Sequence, residues 1–465
     1  MNARRRIAPT QLTRIDAPPR VSGTLRRACA PFAVIPQPAP GADGHTRTPD
    51  PHTLSRVQDA SIVQIHGPSG AGKTALLRGI IASQPTRRTH IVAEQLSETQ
   101  RATAVFDLLT GTARRRGMTL TLSGLGEPRL WARPAGVLSA GEQARLRLAL
   151  SMHRARPGDL VVVDEFATML DRVSAYALCR TVRRWALRAG VTLVVASAHE
   201  DLETMLDPDL LIDARTMRQR PARPPQPQPV TIEPGTPEDY RTLAHLHYRG
   251  GAPATMVRVL RALRAVPEHI DPTQRLLAGV LVVSMPALNS AWRERAWPGL
   301  FSTGNKARDA RRLNDNLRTI SRVIVDPRSR GLGVARVLVR AYLDDPLTPA
   351  TEAIAAMGAL CPFFQRAAMT PYTIVPDVHD TRLLDALHHL RITPETLAHT
   401  RPTHASLLHR ELITWGRRRK LLPAGTPTPD QTRRLTPLAA CRLCSRPRAF
   451  AYTKGEQDDE PDHTP

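Results

Sequence analysis

From residue 61 to 213 short apolar runs alternate with helix-period stretches. "SIVQIHG", "THIVAEQ", "DLVVVDEF" and "VTLVVASAHE" are too short for helices and end in polar residues, the mark of buried strands. Strands alternating with helical stretches predict a parallel sheet covered by helices. A second folded region runs from about 231 to 415. In it "SRVIVDPRSRGLGVARVLVRAYL", 321–343, reads as a strand, a Pro-containing bend, a Gly-rich turn and an amphipathic helix. The intervening "RQRPARPPQPQP" is too dense in proline for helix or sheet and predicts a stiff linker. Residues 1–55 are rich in Pro, Arg and Gly, with one short element expected around "LRRACAPFAVI". After "WGRRRK" the pattern dissolves into Pro, Thr and charge. The expected organisation is therefore an extension (1–55), a first α/β domain (56–217), a linker (218–230), an α+β domain (231–415) and a disordered tail (416–465).

Composition changes this picture in three respects. At 465 residues the chain is too long for a single ordinary core. The net charge of +23 points to a polyanionic partner such as nucleic acid. Lysine stands only at 73, 306, 420 and 454, so nearly all the positive charge is arginine. Base composition explains that preference but not the excess over acids. Aromatic residues make up 4 %, which leaves few platforms for stacking on single strands. Cys29, Cys179, Cys361, Cys441 and Cys444 are scattered, as in a reducing compartment. Cys441 and Cys444 form one CxxC with no second pair to complete a tetrahedral site. No run reaches the roughly 18 apolar residues that a bilayer span needs, and no apolar signal core follows the N-terminus. The expectation is a cytoplasmic protein with no membrane span of its own.

The first candidate site lies in "GPSGAGKT". Gly67, Gly72, Lys73 and Thr74 have the GxxxxGK[ST] spacing between a strand and a helix, with Gly70 inside the loop. Glycines let successive N–H groups face phosphates at a helix N-terminus. Lys73 would neutralise the outer phosphates of ATP and Thr74 would ligate Mg²⁺. Further on, "VLSAGEQARLRLALSMHRARPGDLVVVDEF" places Leu138, Ser139, Gly141, Glu142 and Gln143 before a helix that leads into the acidic strand.

These motifs, in this order, resemble the ABC ATPase family. The resemblance implies a head-to-tail dimer in which Ser139 and Gly141 contact the γ-phosphate held by the other copy. It implies that Asp164 holds Mg²⁺ through water and that Glu165 is the general base. His199 matches the switch histidine, Gln95 the Q-loop residue near Mg²⁺, and Asp171 in "MLDRVSA" the D-loop aspartate at the dimer seam. Three departures stand out. Ala140 replaces the usual Gly, "DEFAT" lacks the Pro-Thr of transporter ATPases, and about forty residues separate Gln95 from Leu138, shorter than a transporter's coupling domain. The candidate for adenine stacking is Phe32. A transporter subunit is the least favoured reading.

The second candidate site is R-x-x-G-x-A, at Arg330, Gly333 and Ala335, with the amides from Gly331 to Ala335 opening a helix. It resembles the pyrophosphate-binding motif of the GNAT acetyltransferases. That likeness implies acetyl-CoA as cosubstrate, with backbone groups of Val323 and Val325 receiving its pantetheine arm. "LLAGVLVVSMP" fits the family's central hairpin and "TEAIAAMGALCPFFQRAAM" its next strand and helix. Where the family often has a tyrosine acid, this chain has Phe364. Tyr372 is a possible substitute, and no glutamate is clearly placed as base. Together the two regions resemble soluble ABC-type ATPases fused to a predicted acetyltransferase domain. The leading expectation is an ATP-hydrolysing switch coupled to an acetyltransferase-like domain with an unknown acceptor. The alternative is a nucleic-acid-associated ATPase whose second domain is a catalytically degenerate binding module.

Overall fold

The computed structural model describes residues 50–59, 61–225, 228–247, 251–265, 275–358, 361–403, 405–423, 425–445 and 447–455. The expected element around "LRRACAPFAVI", Cys29 and Phe32 lie outside the described residues. By packing, the chain divides into two compact units, with one boundary inside the Pro-rich segment, after Pro225, and the others elsewhere. Of the described residues, one holds those in 50–94, 154–168 and 183–225; the other holds those in 95–153, 169–182 and 228–455. The backbone passes from the first unit to the second at Glu94/Gln95, at Thr168/Met169 and after Pro225.

The first unit carries a six-stranded sheet. Helix α1 (Pro51–Asp59) precedes β1 (Ile62–His66), and α2 (Lys73–Ala82) follows it. Then come β2 (Thr89–Ile91), β3 (Leu160–Val163), β4 (Thr192–Ser197), β5 (Leu210–Asp213) and β6 (Gln219–Arg220). Their order is β2-β3-β4-β1-β5-β6, parallel except for β6 against β5. Strands β3 and β4 are buried at every position, since helices cover both faces of a parallel sheet. Val63, Ile65, Leu76, Ile80, Val162, Val194 and Ile212 form one core layer. The run "THIVAEQ" is a strand only to Ile91; Val92 N still donates to Val162 O at 2.9 Å, and the chain then leaves the sheet. The expected linker is corrected at its start. Gln219 and Arg220 add a strand, and Arg220 and Arg223 each pair at 2.9 Å with the fully buried Glu203.

In the second unit a piece with its own core, including Leu96, Val105, Leu120, Leu125, Leu138 and Leu146, ends in helix α3 (Ala140–Arg154). Helix α4 (Arg172–Ala189) starts in this unit and runs into the other. A seven-stranded sheet follows: β7 (Val230–Pro234), β8 (Arg258–Ala265), β9 (Arg275–Ser284), β10 (Leu317–Val325), β11 (Ala350–Ala355), β12 (Thr370–Thr373) and β13 (Arg448–Thr453). Their order is β12-β13-β11-β10-β9-β8-β7. Helix α5 (Lys306–Asn316) leads into β10, and α6 (Val334–Asp344) crosses from β10 to β11, the one parallel pair. That pair is in register only from Leu317 to Ile320 against Ala350 to Ala353. Beyond it the C-terminal ends of the two strands part.

Between β12 and β13, which are direct antiparallel neighbours, the chain makes a helical excursion: α7 (Val378–His389), α8 (Leu407–Arg418) and α9 (Pro429–Cys444). The excursion has a core of its own, built on Leu383, Leu387, Leu397, Leu408, Leu412, Trp415, Leu435 and Ala439. The expectation of a disordered tail from 416 is corrected here. Thr428 and Gln431 form a capping box at the start of α9, and β13 lies between β11 and β12. Phe450, buried on β13, stacks on Phe364. Among the described residues no helix is long and apolar enough to cross a membrane.

Candidate functional site

The loop after β1 is shaped by its glycines in two different ways. Gly70 (φ 77°) and Gly72 (φ 86°) take left-handed backbone angles that glycine adopts without a Cβ clash. A Cβ on Gly70 would meet nothing within 4 Å, so conformation alone calls for glycine there. Gly67 is needed for space, because a Cβ would approach those of Ala214 and Ala71 to 3.1 Å. Gly72 caps α2, leaving the first amides of the helix pointing into the loop. Lys73 Nζ donates to Gly67 O and Pro68 O, each at 2.9 Å, which folds the ammonium back over the loop.

Thr74, in the first turn of α2, donates through Oγ1 to Asp164 Oδ2 at 2.5 Å. Asp164 directly follows β3, which lies two positions along the sheet from β1. The hydroxyl and carboxylate expected to share Mg²⁺ are thus adjacent across the mouth of the loop. An oxygen donor set of this kind suits a hard divalent cation. Among the described residues no group of three or more His, Cys, Asp or Glu could hold a metal, so water and phosphate oxygens would supply the remaining ligands.

Glu165 is exposed at φ 52° and Ala167 at φ 60°, left-handed angles unusual for residues bearing a Cβ. The surroundings hold the turn in place. Phe166, 2 % exposed, donates its amide to Ala196 O at 2.8 Å, and Thr168 Oγ1 donates to Glu165 O at 2.8 Å. Such strain collects where a side chain must be presented in a fixed direction. The Phe that replaces the transporter-type proline is therefore the anchor of the turn. His199 follows β4, half-buried, with its amide donating to Ser197 Oγ at 3.2 Å.

Gln95 is exposed and stands first in the second unit. Ser139 and Glu142 cap α3: Ser139 Oγ donates to Glu142 Oε2 at 2.9 Å, and Glu142 N donates back to Ser139 Oγ at 3.3 Å. To contact a phosphate, Ser139 would exchange that bond. Gly141 is required by packing, since a Cβ would lie 3.0 Å from Met169 O. Asp171 accepts from Ser174 N at 2.9 Å and Ser174 Oγ at 2.6 Å at the start of α4. Burial raises its carboxyl, but the Ser174 bonds and the Arg328 guanidinium outweigh it and hold the pKa below the ordinary value.

The residues expected to meet acetyl-CoA stand at the C-terminal end of β10. Gly331 (φ 78°) and Gly333 (φ 88°) are left-handed, and Gly333 caps α6 ahead of Ala335. Val323 pairs with Leu281 of β9. Two expected contacts are already engaged. Val325 O accepts from Arg330 Nε at 3.3 Å, and Gly331 lies so close to Thr181 of α4 that a Cβ would sit 2.3 Å from its methyl carbon. The cavity beside Arg330, lined also by Arg145, Ser174, Thr181 and Arg328, measures about 10 Å³, room for one water. Phe364 is buried in an aromatic stack with Phe363 and Phe450, and Tyr372 packs 5.8 Å from Trp292. Glu352 is buried and held by Arg293 (2.7 and 2.8 Å) and Thr319 (2.7 Å), so both of its oxygens are engaged in a buried ion pair.

Sequence reasoning missed Arg264. It is fully buried on β8, donates to Arg328 O at 3.2 Å and Val173 O at 3.4 Å, and stacks 5.6 Å from the Tyr176 ring. Burial pulls its pKa down to about 10. It thus ties the start of α4 to the turn before Gly331. Cys441 and Cys444 are exposed at the end of α9.

No family model matches the chain. It is similar to the cytochrome c biogenesis ATP-binding export protein CcmA of Ruegeria pomeroyi, 32 % identical over 169 residues, covering 34 % of this chain and 79 % of that protein. The CcmA of Pasteurella multocida is 29 % identical over 171 residues, covering 31 % and 78 %. Among solved structures, CbiO1 from Clostridium perfringens, described as part of the ABC transporter complex CbiONQ, aligns at 16 % identity. The alignment covers 34 % of this chain and 75 % of that one, with a TM-score of 0.27.

Proposed function

The chain belongs to the ABC ATPases, through about a third of its length, and on that premise we propose that it is an ATP-driven switch whose C-terminal region, 231–415, carries acetyl-CoA-dependent chemistry on an unknown acceptor. The observation that carries the first half is the pairing of Thr74 with Asp164 beside Lys73. Lys73 leaves the loop carbonyls and meets the outer phosphates. Thr74 and Asp164 are the residues that would hold Mg²⁺, which would supply charge neutralisation at the phosphate oxygens. Glu165, presented by its strained turn, takes the proton of the attacking water, and His199 fixes the γ-phosphate. Ser139 and Gly141 of a second copy close the site in a head-to-tail dimer, with Asp171 at the seam.

Purified protein is expected to hydrolyse ATP only with Mg²⁺. Glu165→Gln should lower turnover about 10²–10⁴-fold, the range for loss of a general base, while retaining ATP and doubling in mass in its presence. Equal turnover by both proteins overturns the assignment of Glu165.

The acetyl-CoA half is supported by the parted ends of β10 and β11 and by the left-handed glycines that open α6. Thr181 against Gly331 favours a second reading, a binding module without transfer chemistry.

A further inference from the structure

Strands β12 and β13 are adjacent and antiparallel, so a short turn would join them. The chain instead inserts α7, α8 and α9, which bury their own core. The register fixes where this insertion is rooted. It leaves after Thr373 and returns at Arg448, which pairs with both Thr373 and Ala355. Ala355 is the C-terminal end of β11, and β10, parallel to it, ends at the turn that carries Gly331 and Gly333. Insertion, parted strands and Gly-rich turn therefore share one end of the sheet.

The charge of the insertion is lopsided. Residues 377–445 hold 11 Arg and Lys against 6 Asp and Glu. The acids are largely occupied within the insertion itself. Asp380 accepts from Trp415 Nε1 at 2.9 Å, Arg419 at 2.6 Å and Arg442 at 3.0 Å; Glu411 is held by Arg382 at 2.7 Å; Asp430 faces Arg433 at 3.4 Å. Arg391, Arg417, Arg418, Lys420 and Arg434 are exposed, and among the described residues no acid pairs with them. Cations at the end of α8 do favour the helix dipole, but that effect reaches only the last turn. It does not account for Arg434, in the first half of α9, and Arg391 lies in the turn beyond α7.

We propose that the α7–α9 insertion is a docking surface for duplex nucleic acid, read through its phosphates. Charge complementarity selects a polyanion. Trp415, the sole Phe, Tyr or Trp of the insertion, is 3 % exposed, so no large ring is offered on which unpaired bases could stack. A backbone-reading surface is what remains. Its root at the Gly-rich end of the sheet places the bound strand beside the second candidate site. The class of partner follows the nucleic-acid reading of the sequence, but binding is measured without ATP or acetyl-CoA. Its failure therefore leaves the ATPase assignment intact.

The test is fluorescence anisotropy of a labelled DNA duplex, and of the same sequence as an RNA duplex, with the full chain across a salt series. Affinity for at least one duplex should fall steeply with salt. Arg417→Glu with Arg418→Glu should weaken it at least about tenfold and reduce the salt slope by about two. Arg417→Gln with Arg418→Gln gives the same direction if the reversal does not fold. Reversal of Arg308 and Arg311 on α5 should leave affinity unchanged. Equal losses from the two pairs would mean diffuse attraction to a basic chain and overturn the proposal. So would salt-independent binding, preference for an unpaired strand, or binding of an acidic polypeptide with the same affinity.

Discussion

Two turns in this molecule have nearly the same backbone and opposite surroundings. Gly72 caps α2 at φ 86°, ψ 22°; Gly333 caps α6 at φ 88°, ψ 5°. Each follows a strand, each is preceded two residues earlier by another left-handed glycine, and each aims helix amides outward. Around the first stand a lysine folded onto the loop carbonyls and a threonine bonded to an aspartate. Around the second stand a threonine methyl pressed on Gly331 and an arginine turned back onto Val325 O. A glycine-rich helix start is only a cradle, and chemistry depends on what is left free beside it.

The sharpest way to break this comparison is calorimetry of the full chain with acetyl-CoA. With Thr181 over Gly331 and about 10 Å³ of space beside Arg330, the nucleotide-free chain should give no binding heat. Heat that appears only when Glu165→Gln is saturated with ATP would show that the cover lifts, and would support the acetyl-CoA reading. Heat in the nucleotide-free state contradicts the covered turn. Silence in both states leaves the C-terminal region, 231–415, as a binding module.

The first turn was legible in the sequence because everything it needs is local: a strand, six loop residues and a helix. The pairing partner Asp164 was legible as well, since a buried run of valines ending in acid marks the C-terminal end of a central strand in a parallel sheet. The surroundings of the second turn were not, because they come from distant parts of the chain. Thr181 lies in α4 and Arg264 in β8, and nothing near either residue announces a contact at 328 or 331. β13 was missed for another reason. "RAFAYT" has the alternation of a strand, but it sits in a segment dominated by Pro, Thr and charge, and its partners are β11 and β12. The Gln95 strand was read too long because an edge strand with one neighbour can end without breaking the apolar run.

A smaller effect separates the glycines. Neither Gly70 nor Gly333 has an atom within 4 Å of where a Cβ would lie, so alanine costs only backbone strain, about 1–2 kcal/mol at each. Both Gly70→Ala and Gly333→Ala should lower the melting temperature by similar amounts. Only Gly70→Ala should also lower ATP turnover, because its amide faces phosphate. Equal loss of turnover in the two variants would mean that the turns are not functionally distinct.

The least effect comes from the residue that ends the strand before the first turn. His66 closes β1, and burial is the largest influence on it, with Arg220 adding to the same direction; nearby Glu200, Glu203 and Asp213 oppose but do not cancel it. Its pKa therefore lies below the ordinary 6.5 in the folded chain. As pH falls through 6.5 the unfolded chain gains a proton at this position that the folded chain does not, so stability declines with falling pH until the folded pKa is reached. His66→Gln should flatten that decline in thermal melts between pH 7 and the lower value, leaving the melting temperature at pH 7 and above little changed. The turn at Gly333, which follows Val325 and Asp326 instead of a histidine, has no counterpart to this dependence. A decline of the same slope in the His66→Gln variant would place its origin elsewhere in the chain.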